Sequence, residues 1–286
     1  MKPDLHTHST ASDGTLSPTE LVTLADSCGV DLLALTDHDT VGGVAEAAAA
    51  AASFGIPFVP GVEVSTLWHH HSIHIVGLGV NYTDGVLDSA FARVGSQRLA
   101  RGVEIGRKLE ALGFPGAYEG ALRFAKNPGS LSRMHFARWM KLNRYVPNVQ
   151  DAFDKYLGDG CPAFVETVWP TVGEGIRIIR SAGGIPVLAH PGRYKLEPEH
   201  PLSSLVELFV SEGGRGIEVC SGSQSPDTER SIEAFARRHG LFASVGSDFH
   251  SLSGHRPRPG DLHPLPEGLD PVWRHIPGLS ESFRSA

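Results

Sequence analysis

The sequence predicts an α/β fold: a distorted (β/α)7-type barrel carrying an inserted helical subdomain. Three observations lead there. Apolar runs of strand length alternate with segments of helical period. Most of these runs end on a histidine or an acid, and a parallel barrel gathers its reactive groups at one rim, beyond the C-terminal ends of its strands. Between residues 89 and 161 the alternation stops, leaving helical periodicity and loops. The expected division is a discontinuous barrel, residues 1–88 and 162–286, around a helical insertion, residues 89–161.

A short buried first strand delivers Asp4-Leu5-His6-Thr7-His8-Ser9, and Asp13 follows. Ser17-Pro18-Thr19-Glu20 reads as a capping box with proline at the first helical position, and Gly29 closes that helix. Residues 31–36 form a buried strand that delivers Asp37-His38-Asp39. The alanine-rich residues 44–52 form a helix ended by Gly55. Phe58 and Val59 open a strand reaching Glu63, residues 65–71 read as a hairpin turn, and residues 72–78 return with His74. His69, His70 and His71 fall in that turn and are expected to be solvated. After the insertion, Thr171-Val172-Gly173-Glu174 caps a helix, and the strand over residues 185–189 delivers His190-Pro191-Gly192. A helix over residues 202–212 precedes the strand Gly216-Ile217-Glu218-Val219. Ser225-Pro226 starts a helix that ends at Gly240, and residues 241–245 deliver Gly246-Ser247-Asp248-Phe249-His250. The tail, rich in proline and glycine, is expected to wrap the surface.

The net charge of −7 argues against wholesale binding to a nucleic-acid backbone. No apolar run reaches a membrane span, and the first residues lack an apolar signal region, so the expected location is the cytoplasm. Cys28, Cys161 and Cys220 show no metal or redox spacing and read as reduced structural residues.

The unusual count is histidine, at 15. Residues two apart on an extended segment face the same side, so His6 and His8 can hold one cation from a single strand end. Such a pair alone reads equally well as two surface histidines. Here His38, Glu63, His74, His190, Asp248 and His250 sit at other strand ends, with Asp13 just beyond the first. Each has a mild explanation of its own: a core histidine, a turn residue, a helix cap, a salt bridge. Six imidazoles and three carboxylates on one rim would repel or desolvate one another without cations. Mixed nitrogen and oxygen donors favour Mn, Zn or Fe over Ca or Mg, and nine side chains suit two or three ions.

The ordered set His6-Thr7-His8, Asp13, Thr36-Asp37-His38, Gly61-Val62-Glu63, His74, Ala189-His190-Pro191 and Gly246-Ser247-Asp248-Phe249-His250 resembles the PHP (polymerase and histidinol phosphatase) family, whose barrel is amidohydrolase-like. Three further stretches resemble its TrpH/YciV-type branch. They are Ser72-Ile73-His74-Ile75-Val76-Gly77-Leu78, Ser132-Arg133-Met134-His135-Phe136-Ala137-Arg138 and Leu188-Ala189-His190-Pro191-Gly192-Arg193-Tyr194, with Met134 replacing a proline frequent in the branch. The resemblance implies a phosphoesterase that removes phosphate from 3′,5′-nucleotide bisphosphates and, in some members, trims short RNA from the 5′ end. It implies a trinuclear centre, manganese first, with zinc or iron as alternatives. His6, His8, Glu63 and Asp248 would hold one ion, Glu63, His74 and His190 the second, and Asp13, His38 and His250 the third. Attack on phosphorus would come from a metal-bridged hydroxide.

Residues 93–144 hold eleven Lys/Arg against Glu104, Glu110 and Glu119, a local +8 that leaves −15 on the rest of the chain. A solvated basic surface explains most of these charges. A basic cover over a metal rim would also attract a small polyanion: a phosphorylated nucleotide or a short RNA end, with no long nucleic-acid track and no membrane. Arg133, His135 and Arg193 are the expected substrate contacts, with a loop salt bridge as the alternative for Arg193. Arg133 would also act in catalysis, and His135 or else Asp248 would protonate the leaving oxygen. Phe136, Trp139 and Tyr145 fit a helical core better than a base-stacking role. The rival readings are a histidinol-phosphate phosphatase, a non-catalytic metal-stabilised PHP scaffold and an amidohydrolase acting on C–N bonds.

Overall fold

The structure is a computed structural model that describes residues 1–166, 168–222, 224–253, 257–279 and 283. Among the described residues seven strands form one sheet in chain order. They are β1 (Pro3–Asp4), β2 (Leu32–Leu35), β3 (Phe58–Trp68), β4 (His71–Leu78), β5 (Ile185–Leu188), β6 (Gly216–Ser221) and β7 (Phe242–Gly246). Pairing is parallel except where β4 runs antiparallel to β3 and β5. Backbone contacts nearly close the barrel between its first and last strands: Leu5 N–H donates to Val245 O at 3.0 Å and Asp248 N–H to His6 O at 2.8 Å. Strands covered on both faces carry continuous apolar runs, as the fully buried Leu32–Leu35 does.

The helices begin and end where local chemistry directs. Helix α1 (Pro18–Ser27) carries the expected capping box: Ser17 Oγ accepts Glu20 N–H at 3.2 Å, and the Glu20 carboxylate accepts Ser17 N–H at 2.7 Å. Helix α2 (Val44–Phe54) stops at Gly55, whose φ of 71° is the left-handed turn that glycine enters most easily.

The β3–β4 ribbon differs from the expectation. Pairing runs from Gly61↔Leu78 to Trp68↔His71, so the turn is His69 and His70 alone. Trp68 is buried, and Thr66 Oγ donates to Ile73 O at 2.7 Å, which carries the ladder past Ser65. His71 is therefore a strand residue with a side chain only 13 % exposed, a correction to its reading as solvated.

Residues 86–157 are helical: α3 (Val86–Ala111), α4 (Ala117–Leu122), α5 (Arg133–Leu142) and α6 (Val149–Ala152), the last running into a π turn over Phe153–Leu157. Helix α3 serves two cores. Leu87, Phe91 and Val94 join the barrel interior, while Ile105 and Leu109 pack with Phe136, Trp139 and Met140 in a second cluster. Tyr145 rests against Phe114 and Trp139. The remaining helices are α7 (Val172–Ser181), α8 (Leu202–Ser211) and α9 (Pro226–His239). No described helix is long and apolar enough to cross a membrane.

The tail does more than wrap the surface. Val272, Trp273 and Ile276 enter the barrel core, and Ala243 N–H donates to Asp270 O at 2.8 Å. Apolar tail side chains thus pack in the same core as β7. Trp273→Ala should accordingly lower stability by about 3–5 kcal/mol in urea unfolding; a loss below about 1 kcal/mol would mean that the tail is only a surface strap.

Candidate metal centre

All nine groups meet at one rim, although Glu63 and His74 lie inside β3 and β4 and not at strand ends as expected. Glu63 is completely buried, and five imidazoles surround its carboxylate. Oε2 lies 3.2 Å from His6 Nε2, 3.2 Å from His8 Nε2 and 3.0 Å from His38 Nδ1. Oε1 lies 3.0 Å from both His74 Nδ1 and His190 Nε2. On the far side, Asp248 Oδ1 stands 3.1 Å from His8 Nε2, and Asp13 Oδ1 stands 3.3 Å from His250 Nε2. Three rim residues take left-handed backbone conformations, Asp39 at φ 50°, His190 at φ 31° and Asp248 at φ 53°. Non-glycine residues adopt this region at a cost, and such strain gathers at functional sites.

Three groups have ligand atoms close enough to share an ion: His6, His8, Glu63 and Asp248; His8, Asp13, His38 and His250; and His38, Glu63 and His74. The first is the set expected from the resemblance. The second is the expected third set with His8 added. In the last, His38 stands where His190 was expected, and His190 meets Glu63 from beside it.

A second layer aims these ligands. Glu218, fully buried on β6, accepts from His6 Nδ1 at 2.6 Å and from His190 N–H at 2.6 Å. That hydrogen bond fixes the His6 tautomer and leaves Nε2 free to bind a cation. Glu218 was missed as a functional residue. Its signal was present: a lone acid inside the apolar run Gly216-Ile217-Glu218-Val219. Asp37 holds the loop between His8 and Asp13, accepting from Ser9 N–H at 2.8 Å, Ser9 Oγ at 2.6 Å and Ser12 Oγ at 2.5 Å. Tyr194 fixes His74 by accepting its N–H at 2.9 Å.

The protonation states suit metal binding. Burial, followed by the nearby His250 charge, pushes His8 down to about 4, and burial pushes His190 down to about 3. Burial opposes ionisation of Glu63, but His38, His6 and His74 outweigh it and hold the carboxyl well below its ordinary value. His6 is the exception. Burial works against its charge, yet Glu218 and Glu63 raise it to about 10, so an ion would displace a proton there. Asp13 Oδ1, Glu63 Oε2, His8 Nδ1, His38 Nδ1 and His190 Nδ1 are buried with no hydrogen-bond partner. His38 Nδ1 and Glu63 Oε2 are close but misaligned for a hydrogen bond, and His6 Nε2, with the proton that an ion would displace, stands 3.0 Å from His8 Nε2. Unpaired buried donor atoms of this kind fit divalent transition ions.

A cavity of about 320 Å³ opens above the rim, lined by Asp13, His38, His74 and His250 on the barrel side and by Arg98, Arg101 and Arg133 on the helical side. Arg98 is buried and paired with Asp39, and its guanidinium lies 4.7 Å from the centre of the Trp169 ring. Arg133 reaches Asp159 at 3.0 Å. Arg193 is placed in the alternative role considered for it, an ion pair with Asp248, and it also donates to Gly222 O. His135 is fully buried behind the rim, where Nδ1 accepts Ser132 N–H at 3.0 Å. Burial holds its ring down to about 4, His135 does not line the cavity, and Ser132 Oγ in turn donates to Asp13 Oδ2 at 3.2 Å. Trp169, Phe153 and Phe164 are the aromatic residues of the cavity wall; Phe136, Trp139 and Tyr145 do not line it.

The PHP domain profile matches residues 4–155. The chain belongs to the PHP family. It is 44 % identical over 273 residues, 96 % of this chain and 95 % of the relative, to a 3′,5′-nucleoside bisphosphate phosphatase of Chromobacterium violaceum. It is 42 % identical over 272 residues, 95 % of this chain and 98 % of the relative, to a 5′-3′ exoribonuclease of Haemophilus influenzae. A solved Chromobacterium violaceum amidohydrolase with bound sulfate superposes with a TM-score of 0.92 at 43 % identity, covering 99 % of this chain and 97 % of that one. A metal-dependent phosphoesterase from Bifidobacterium adolescentis gives 0.80 at 28 % identity, covering 96 % and 94 %. The PHP barrel thus supplies the nearly closed seven-strand frame seen here.

Glu218→Gln should weaken metal binding by about 10–100-fold while leaving the fold intact, because it removes the charge that orients His6. Metal titration beside a circular dichroism spectrum checks this; unchanged affinity would make Glu218 a packing residue only.

Proposed function

We propose that this PHP-family hydrolase of phosphoric ester bonds removes the 3′ phosphate from 3′,5′-nucleotide bisphosphates, such as 3′,5′-adenosine bisphosphate. The observation that carries the reading is the lining of the cavity, which joins metal-ligand groups to Arg98, Arg101 and Arg133. Two of those charges are committed, Arg98 to Asp39 and Arg133 to Asp159. Arg101 makes no ion pair among the described residues; its Nε donates to Val165 O at 3.2 Å. Burial, then the charges of Arg133 and Arg98, push its guanidinium down to about 9. A phosphate would relieve that crowding, and a ligand with two phosphates, one for each kind of lining group, matches the whole cavity. Its volume lies at the lower end of small-molecule sites, which suits one nucleotide.

Bound divalent ions, with Mn²⁺ the first candidate, would supply a water of lowered pKa and neutralise charge on the phosphoryl oxygens. The chain's own residues do the rest. Glu63 and the histidines fix the positions of the ions. Arg101 holds the 5′ phosphate, Arg133 joins it by exchanging the exposed Asp159 for the ligand, and Trp169 and Phe164 offer apolar surface to the base. Asp248, with one oxygen anchored by Arg193 and the other facing His8, is assigned the proton relay to the leaving O3′. His135 acts as a positioning residue. The helical segment is the lid that brings these arginines over the rim.

The identity to an exoribonuclease favours a second reading with the same geometry. A 5′-phosphorylated RNA end places a phosphodiester where the bisphosphate carries its 3′ phosphate, so the same P–O3′ bond breaks.

Phosphate release from 3′,5′-adenosine bisphosphate with Mn²⁺, lost on chelation, tests the function, with histidinol phosphate assayed in parallel. Faster release from histidinol phosphate, or none from either, would overturn it. Arg101→Ala should cost about 1.5–3 kcal/mol of transition-state binding, roughly 10–100-fold in kcat/KM, on the bisphosphate but little on adenosine 3′-monophosphate. Equal losses on both would remove Arg101 from the 5′-phosphate site.

A further inference from the structure

The tip of the β3–β4 ribbon carries three consecutive histidines, His69 and His70 in the turn and His71 at the start of β4, that the rim does not use. His70 Nε2 lies 2.9 Å from Glu197 Oε1, and His71 Nε2 lies 2.6 Å from Oε2 of the same carboxylate. The His70 and His71 rings are 4.1 Å apart. Beside them His69 stacks on His200 with ring centres 3.7 Å apart and planes 13° apart, and Trp68 meets both rings edge-on. Four imidazoles and one carboxylate thus share a small patch. His70 also lines the cavity over the rim, so the patch stands at the cavity mouth.

We propose that His70, His71 and Glu197 form a second, surface-accessible site for a divalent transition ion of the zinc class. Their ligand atoms lie within 4.8 Å of one another, and none belongs to a rim group. Two imidazoles and a carboxylate make the mixed donor set that zinc takes in open sites, with the fourth tetrahedral position left for water or an incoming anion. A small movement that replaces two N–H···O contacts by three metal bonds satisfies the same atoms. His71 is fixed by strand pairing and Glu197 already bridges to it, so the site is largely preformed. An ion bound here adds positive charge where an anionic ligand enters.

The test uses the full-length protein with its rim centre loaded with Mn²⁺. Zn²⁺ is titrated against a competing chelator, and bound metal is counted by elemental analysis after gel filtration. Wild type should hold one more equivalent of Zn²⁺ than the His70→Ala/His71→Ala double variant. Glu197→Gln, which keeps shape and hydrogen-bonding capacity, should lose the same equivalent. His263→Ala, at an exposed histidine 3.0 Å from Glu229, should bind as wild type does. Co²⁺ added to the wild type should give a visible tetrahedral spectrum that the double variant lacks. Equal zinc content in wild type and both site variants would overturn the proposal. So would an equal loss in His263→Ala, which would mark the extra zinc as nonspecific surface binding.

Discussion

The carboxylate of Glu63 has no access to water, and five imidazoles crowd around it. An isolated buried carboxylate is among the most expensive groups a protein can hold, and one surrounded by neutral rings is stable only if cations or protons share the space. That constraint organises the barrel. The β3 strand must present Glu63 inward, β4 must return His74 to it, and the chain after β1, β2 and β5 must turn so that His6, His8, His38 and His190 point at the same spot. The left-handed residues at Asp39, His190 and Asp248 are where the backbone bends to meet this demand.

Around that centre lies a shell of acids that never reach the cavity. Asp4 accepts Ser247 N–H at 3.0 Å and Gly260 N–H at 2.8 Å, tying the first strand to the last and to the tail. Asp37 holds the loop bearing Asp13, and Glu218 holds His6 and the His190 backbone. Each is buried, and each accepts more than one hydrogen bond, which is the condition under which a buried polar network orders its surroundings. Close packing backs the same arrangement: a Cβ at Gly246 would stand 2.2 Å from the His6 Cβ, so only glycine lets β7 pass so near the rim.

The helical segment is joined to the barrel by polar contacts as well as by α3. Arg98 pairs with Asp39, one residue beyond His38, and Ser132 Oγ donates to Asp13 Oδ2 at 3.2 Å. The cavity is thus the seam between two apolar cores, walled by histidines on one side and guanidinium groups on the other.

The barrel and its rim were legible in the sequence because both are local signals repeated at intervals. Apolar runs marked the strands, capping boxes marked the helices, and several rim histidines and acids announced themselves by ending a run, while Glu63 and His74 stand inside β3 and β4. Other roles depended on which distant side chain lies opposite. Glu218 looked like an unexplained acid in an apolar strand until His6, far away in the chain, was found against it. His135 and Arg193 sit in motifs that suggest substrate contact, yet one caps a helix and the other anchors Asp248. Arg101 was one basic residue among eleven until the fold paired its neighbours and left it with no ion pair among the described residues. Periodicity and turn chemistry act over a few residues, so the sequence alone determined the elements and their polar ends. Burial and charge pairing join residues separated by the whole length of the chain, and only the tertiary structure decided which of them hold an ion, which aim the holder, and which stay open for a ligand.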